Sequence, residues 1–455
     1  MQGKGAHMLR RKMLEALRAW RDTHGQECLL INGARQVGKS FIVDRFGEEY
    51  GSYIKLDFIE NPAYVGIFDG SLSAESIYSN ISLYVPGARI APGDTLLFFD
   101  ELQECPQARA AFKYLALDGR ADVIGSGSLL GMRFRDLSDA PSLPVGYERQ
   151  VTMRPLDFEE FLWALGYDDG ALDVLRGYLS GLEPIPQGIH QKMERHVREY
   201  LAIGGMPEVV RAFARDLDYG VAHEVQVKLH DLYLDDIARY APPERRVKAR
   251  ACYLSLPRQL AKENTKFQYA TVEKRSGARK FEGSVDWLVG SEMVLACRAV
   301  SSATYPLAAY EMADRFRLYA NDTGLLMAMY DFGLKRAVVE NTLAGPMKGG
   351  LYENLVATML ASNDVPLRYW MSASGDREIE FLVERDAKLV PLEVKASRNR
   401  SVSLDEFLVR DDVSVGYKLI DGNVGALGKK VTLPHYLAMF LFRRGGTHES
   451  RGRAV

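Results

Sequence analysis

The sequence has few cysteines, no long apolar run and almost no net charge, and each shortage argues against a class of protein. Its four cysteines, Cys28, Cys105, Cys252 and Cys297, are scattered through 455 residues with no paired spacing. That argues against a disulfide scaffold and a thiolate zinc site, and a reducing cytoplasm is the expected setting. No stretch reaches the ~20 apolar residues of a membrane helix, so no membrane partner is expected. The formal net charge is −2, which lacks the global basic signature of many nucleic-acid binders but leaves room for a local patch. The eight histidines form no pair at metal-ligand spacing, so a His-based site is not indicated. Internal repeats, low-complexity tracts and a secretory signal are also missing, and the small polar residues Met1 to His7 are set aside from the fold.

What remains is ordinary for a folded globular chain: 47% hydrophobic and 26% charged residues. The length suggests roughly three domains. Three textures follow one another. Residues 8–22 have helical apolar spacing. Apolar strand patterns at 28–31, 52–58, 95–99 and 121–125 then alternate with helical patterns at 41–46, 74–85 and 107–118. Continuous apolar strands between helices mean a parallel sheet covered on both faces, so an α/β core is expected over 8–155. In the middle region, 156–344, long amphipathic helical patterns dominate to about 292, and 200–340 reads as mostly helical. From 345 to 455 a helix pattern at 351–360 precedes short strands at 367–371, 378–384 and 389–395, a small α/β domain.

The strongest motif is Gly33-Ala34-Arg35-Gln36-Val37-Gly38-Lys39-Ser40, which fits G-x-x-x-x-G-K-[ST] and lies between an apolar strand and a helix. Gly33 and Gly38 permit backbone conformations that aim successive N–H groups at phosphate oxygens, and the helix through Phe41 adds its positive end. Lys39 is expected to reach the β- and γ-phosphates and Ser40 to ligate Mg2+. Leu96-Leu97-Phe98-Phe99-Asp100-Glu101 supplies the second half: an apolar strand delivering two carboxylates to the same sheet edge. Asp100 is the expected Walker B acid at the metal and Glu101 the general base for water. A helix cap and first-turn charge would explain the same two residues if they stood alone. Ser126 or Ser128, after the next strand, is the candidate γ-phosphate sensor. Arg133, Arg135, Arg149 and Arg154 are the candidate arginine fingers.

These residues resemble a family of bacterial and archaeal AAA-superfamily ATPases that carry a C-terminal domain of unknown function. Its loop reads G-P-R-Q-V-G-K-[ST], with Ala34 replacing the proline here. Pro155 to Leu162, Tyr200 to Glu208 (with Gly204-Gly205-Met206-Pro207), Arg315 to Tyr319 and Asn321 to Leu326 are similar to further family segments. The resemblance implies ATP as the nucleotide and a winged-helix-like portion within the middle region. The family's Leu-x-Gly-Arg segment is broken: Leu143-Pro144-Val145-Gly146 is followed by Tyr147, and Arg149 comes two places later.

In the last third, Glu353 on a helix, Glu380 on an alternating strand, and Glu393-Val394-Lys395 ending an apolar strand are similar to the PD-(D/E)xK nuclease pattern, with Glu380 where aspartate is preferred. Clustered carboxylates would bind Mg2+ and the lysine would position water against a phosphodiester. Alternation puts Glu378 and Glu380 on one face of the strand, Ile379 and Phe381 on the other. Charges solvated on an exposed strand give the plain alternative. Basic residues gather at Arg239, Arg245, Arg246, Lys248 and Arg250 and at Lys395, Arg398, Arg400, Arg443, Arg444, Arg451 and Arg453, which suits phosphate contacts with DNA or RNA and equally suits solvated helix ends. The expected function is an ATPase acting as a nucleotide-driven switch or motor, with protein partners and a homo-oligomer among its expected associations. The alternatives are an ATP-regulated nuclease and an ATP-binding sensor or scaffold with little turnover.

Overall fold

The computed structural model describes residues 8–127, 145–262, 266–275, 277–396 and 401–443. Five strands form the first sheet: β1 (Cys28–Asn32), β2 (Ser52–Asp57), β3 (Thr95–Asp100), β4 (Asp122–Ser126) and β5 (Glu148–Thr152). They lie in the order β2-β3-β4-β1-β5 with every neighbouring pair parallel. Successive side chains of a strand face opposite ways. Thus Leu96 and Phe98 enter the larger core with Leu29, Ile31 and Ile124. Leu97 and Phe99 enter a second core with Leu30, Leu56 and Val123. Helices Lys12–Thr23 and Lys39–Gly47 cover the first face; Ala74–Tyr84 and Phe112–Asp118 cover the other.

β5 has no counterpart among the expected strands. Its sequence, Glu-Arg-Gln-Val-Thr, is polar because it is the outer strand beside β1 and stays partly exposed. The helix expected over 107–118 is two pieces, Pro106–Ala110 and Phe112–Asp118.

A bundle containing Gln187–Ile203, Pro207–Asp216 and Tyr219–Tyr240 follows. The region 200–340, expected to be mostly helical, also contains two strands, β6 (Val294–Val300) and β7 (Glu311–Ala320), paired antiparallel. Short apolar runs such as β6 are not distinguished from buried helix by periodicity alone. β6 also pairs in parallel with β8 (Arg368–Met371), and β8 with β9 (Glu378–Ile379), giving the order β7-β6-β8-β9. One sheet therefore spans the expected boundary at 344/345. Beyond it, β10 (Phe381–Arg385), β11 (Lys388–Val394), β12 (Gly416–Ile420), β13 (Gly425–Leu427) and β14 (Lys430–Pro434) form a third sheet, ordered β10-β11-β12-β14-β13. The strand expected over 378–384 is divided at Glu380 into β9 and β10, which belong to different sheets. Among the described residues no helix is long and apolar enough to cross a membrane.

Candidate functional site

β1 is buried throughout and delivers the chain to the carboxyl edge of its sheet. There the backbone turns through positive φ at Gly33 (148°), Gln36 (64°) and Gly38 (94°), the last being the N-cap of helix Lys39–Gly47. A Cβ on Gly33 would meet the Met153 carbonyl oxygen at 2.2 Å, so glycine is required by the segment that follows β5. Lys39 is buried, and its Nζ donates to the carbonyls of Gly33 (3.0 Å) and Ala34 (2.9 Å). Burial pushes its ammonium down to about 8, against the nearby carboxylates of Glu101 and Asp100, which favour the charge. The lysine is thus mainly cationic at neutral pH. Ser40 is partly buried beside it, and Phe41 turns its ring outward at 53% exposure.

Asp100 ends β3, buried, and accepts a hydrogen bond from the Ser126 hydroxyl at the end of β4. The Glu101 amide donates to that same oxygen, Oδ1, at 3.1 Å, and Lys55 Nζ stands 3.4 Å from Oδ2. Glu101 takes the left-handed conformation (φ 59°), and Gln103 donates to its carboxylate. Ser126 is therefore brought to Asp100, whereas Ser128, Arg133 and Arg135 lie outside the described residues. Arg149 is not brought there. It is paired in register with Leu29 near the start of β1 and ion-paired with Glu27 at 2.9 Å, whereas the loop of residues 33–40 follows the far end of that strand. Arg154 bonds Glu292 at 2.7 Å.

The loop is held by residues that no local motif identifies. Arg11 donates to the Val37 carbonyl (2.9 Å) and the Arg154 carbonyl (2.7 Å) and pairs with Glu160 (3.2 Å). Arg35 pairs with Asp236 at 2.5 Å, and Tyr233 donates to the Arg35 carbonyl at 3.1 Å, both from helix Tyr219–Tyr240. Pro207 stands close enough to touch a Cβ on Gly38, at 3.8 Å. The Gly204-Gly205 turn before it is locked by Asp322, whose carboxylate accepts from the Gly205 amide (2.6 Å) and caps helix Thr323–Ala328 through Leu325 N (2.8 Å). Gly205 in turn accepts from Leu156 N at 2.7 Å, and a Cβ on Gly205 would meet the Leu156 oxygen at 1.9 Å. Three segments far apart in sequence thus converge beside the loop. Burial pushes Asp322 up to about 6, opposed by those amide donors.

The carboxylates of the last third also come together. Glu353 on helix Pro346–Ser362, Glu378, Glu380 and Lys395 line one cavity of about 780 Å³. Lys395 Nζ bonds Glu380 at 2.7 Å and lies 3.4 Å from Glu393. Burial pushes Glu380 up to about 7, with Lys395 opposing. Ile379 and Phe381 are both buried, but the break at Glu380 interrupts the expected alternation: Ile379 packs in one core with Leu382, Phe381 in another with Val383. One oxygen each of Glu380 and Glu393 is buried without a hydrogen-bond partner among the described residues. Two contributors come from β7, inside the middle region. Arg317, almost fully buried, stands 3.6 Å from Glu353 and also pairs with Glu378, and Tyr319 donates to Glu353 at 3.1 Å.

The basic groups divide. Arg246 donates to the Ala241 carbonyl, Arg245 to that of Gly283, and Arg443 pairs with buried Glu159, so these three serve intramolecular contacts. Arg398, Arg400, Arg444, Arg451 and Arg453 lie outside the described residues.

Residues 25–162 match the family model described as AAA domain, 194–336 a domain of unknown function (DUF8612), and 348–426 a second domain of unknown function (DUF4143). The match to the AAA domain model thus covers the first sheet and the loop of residues 33–40. No curated protein matches the chain. Among solved structures it is similar to a Walker-type ATPase of Pyrococcus abyssi, at 16% identity and TM-score 0.43, covering 71% of this chain and 96% of that one. It is also similar to AMPPCP-bound DnaA from Aquifex aeolicus (12%, TM-score 0.27, covering 60% and 85%) and to the ORC2 protein of Aeropyrum pernix (16%, TM-score 0.23, covering 77% and 97%).

Proposed function

We propose that the chain is an ATP hydrolase whose N-terminal site couples nucleotide state to its helical region, as a switch or motor acting with protein or nucleic-acid partners. The observation carrying this reading is the meeting of Lys39, on the loop of residues 33–40, with Asp100 and Glu101 at one sheet edge. The residues fit a nucleoside triphosphate: two glycines with positive φ open the loop, and a buried lysine lies against the loop carbonyls. The amides of residues 34–41 would cradle the phosphates and Lys39 would neutralise them. Ser40 and Asp100 would hold Mg2+, which supplies charge neutralisation between the β- and γ-phosphates. Glu101 orients and deprotonates the attacking water, and Ser126 fixes the Asp100 carboxylate. Arg35, reaching Asp236, carries loop movement to helix Tyr219–Tyr240.

Glu101→Gln tests this reading. It should reduce Mg2+-dependent hydrolysis by ~10²–10⁴-fold and leave ATP binding intact. Wild-type protein that hydrolyses no ATP, with or without DNA, would overturn the hydrolase reading in favour of a sensor or scaffold in which bound nucleotide persists.

A second reading, metal-dependent phosphodiester cleavage by the C-terminal pocket, draws on the unpartnered oxygens of Glu380 and Glu393 beside Lys395. The order of a helix Glu (Glu353), a strand acid (Glu380) and then Glu393-Val394-Lys395 also supports this reading. Lys395→Ala should abolish Mg2+-dependent cleavage of DNA or RNA, and inert wild-type protein across substrates would remove this reading.

A further inference from the structure

The histidines show no metal spacing in the sequence, yet the fold places His190 and Glu194, one helical turn apart on Gln187–Ile203, against Asp421 after β12. One ligand atom from each lies within 4.8 Å of the others. We propose that His190, Glu194 and Asp421 bind one divalent transition-metal ion, zinc or manganese, that clasps the helical region to the C-terminal domain. None of these residues belongs to the phosphate loop or to the Glu380 pocket.

The second observation is Glu194 itself. It is 4% exposed, and both its carboxylate oxygens are buried with no hydrogen-bond partner among the described residues. A buried carboxylate in that state is costly unless a cation compensates it. The nearest cations are committed elsewhere: Arg198 donates to the Val339 carbonyl at 3.2 Å and Lys348 to Asn341 at 2.9 Å. A dication would neutralise Glu194 and Asp421 together. His190 also carries the outer-shell contact typical of a ligating imidazole, Nδ1 to the Tyr436 hydroxyl at 2.9 Å. When Nδ1 donates, the lone pair lies on Nε2. One imidazole with two carboxylates suits zinc or manganese better than calcium or magnesium, which prefer all-oxygen sets. Next to the cluster, Asn423 and Ile185 exchange two hydrogen bonds (2.8 and 2.6 Å) and hold the two elements in register.

The test uses the full chain, stripped with chelator and free of nucleotide, titrated with Zn2+ and separately with Mn2+. Bound metal per chain is counted after desalting, and the unfolding midpoint is recorded. One tight equivalent is expected that Glu380→Gln retains and that Asp421→Asn and His190→Gln lack. Tyr436→Phe should weaken it by ~10–100-fold. Wild-type protein should also melt at higher temperature with the metal, by mass action. Equal counts in wild type and Asp421→Asn, both retaining the wild-type circular dichroism, overturn the proposal. If the variants fail to fold, the wild-type chain alone decides: no bound equivalent and no midpoint shift with either ion overturns it. A Glu194→Gln chain that is more stable than wild type and keeps its metal count also overturns it, because the two carboxyls then simply share a proton.

Discussion

In the loop of residues 33–40 the proposed chemistry is arranged by backbone. Eight consecutive residues, three of them at positive φ, shape the loop around a single buried lysine. At the C-terminal pocket it is arranged by side chains: Glu353 comes from a helix, Arg317 and Tyr319 from β7, Glu380 from a junction between sheets, Glu393 and Lys395 from the end of β11. The loop fixes donors without burying many charges. The pocket buries several carboxylates and depends on two cations to hold them. A loop of the first kind loses function when one side chain is removed but keeps its fold; a pocket of the second kind loses stability as well.

Lys39→Ala and Lys395→Ala break or uphold that contrast most forcefully. Lys39→Ala should cut ATP hydrolysis by ~10²–10³-fold, measured as phosphate release, while the unfolding midpoint moves little. Lys395→Ala should leave hydrolysis nearly unchanged yet cost about 3 kcal/mol in urea unfolding, because Glu380 and Glu393 lose their common partner. Since burial already raises Glu380 to about 7, that cost should be greater at pH 8 than at pH 5, where the carboxyl is protonated. A Lys395→Ala chain as stable as wild type at pH 8 would show that the pocket does not rely on its lysine.

Asp322 offers a middle-sized test. Its carboxyl is raised to about 6 in the folded chain, above the ~3.9 of an unfolded aspartate, so folding takes up a proton and stability falls as pH rises from about 4 to about 6. Asp322→Asn cannot titrate. Its deficit relative to wild type, ~1–2 kcal/mol from the lost acceptor, should be largest near pH 4 and shrink by pH 7. Parallel stability curves for the two chains would remove the titration from Asp322.

Arg149→Ala is the smallest. The exposed pair with Glu27 is worth less than ~0.5 kcal/mol, and hydrolysis should be unchanged. A tenfold loss of hydrolysis that depends on protein concentration would instead place Arg149 at a neighbouring subunit's nucleotide.

The parts legible in the sequence share a physical reason. Gly33 to Ser40 is contiguous, and its glycines answer to conformations only glycine adopts cheaply, so the motif stands in the open. β1, β3 and β4 are buried on both faces and read as apolar runs; β5 sits at the edge, is polar, and escapes notice. Glu353, Glu380, Glu393 and Lys395 emerge from element order and alternation, whereas Arg317 and Tyr319 are visible only as part of a family-like segment, with nothing to link them to a cavity. Arg11, Lys55, Asp236 and Asp322 reach their partners across long sequence separations, which no local pattern encodes. The trio of His190, Glu194 and Asp421 is concealed for the same reason: a search for histidine pairs misses one imidazole completed by carboxylates.

The pairing of β8 with β6 has a practical consequence for the last third of the chain. Cut free at residue 345, β8 would present an unpaired row of backbone groups where β6 had been, including the Leu367 carbonyl that accepts from Arg298 at 3.0 Å. An exposed edge of that kind recruits other edges and aggregates. The terminal segment therefore travels intact only with residues 294–320: the smallest portable piece of this end of the molecule begins some fifty residues before its own first helix.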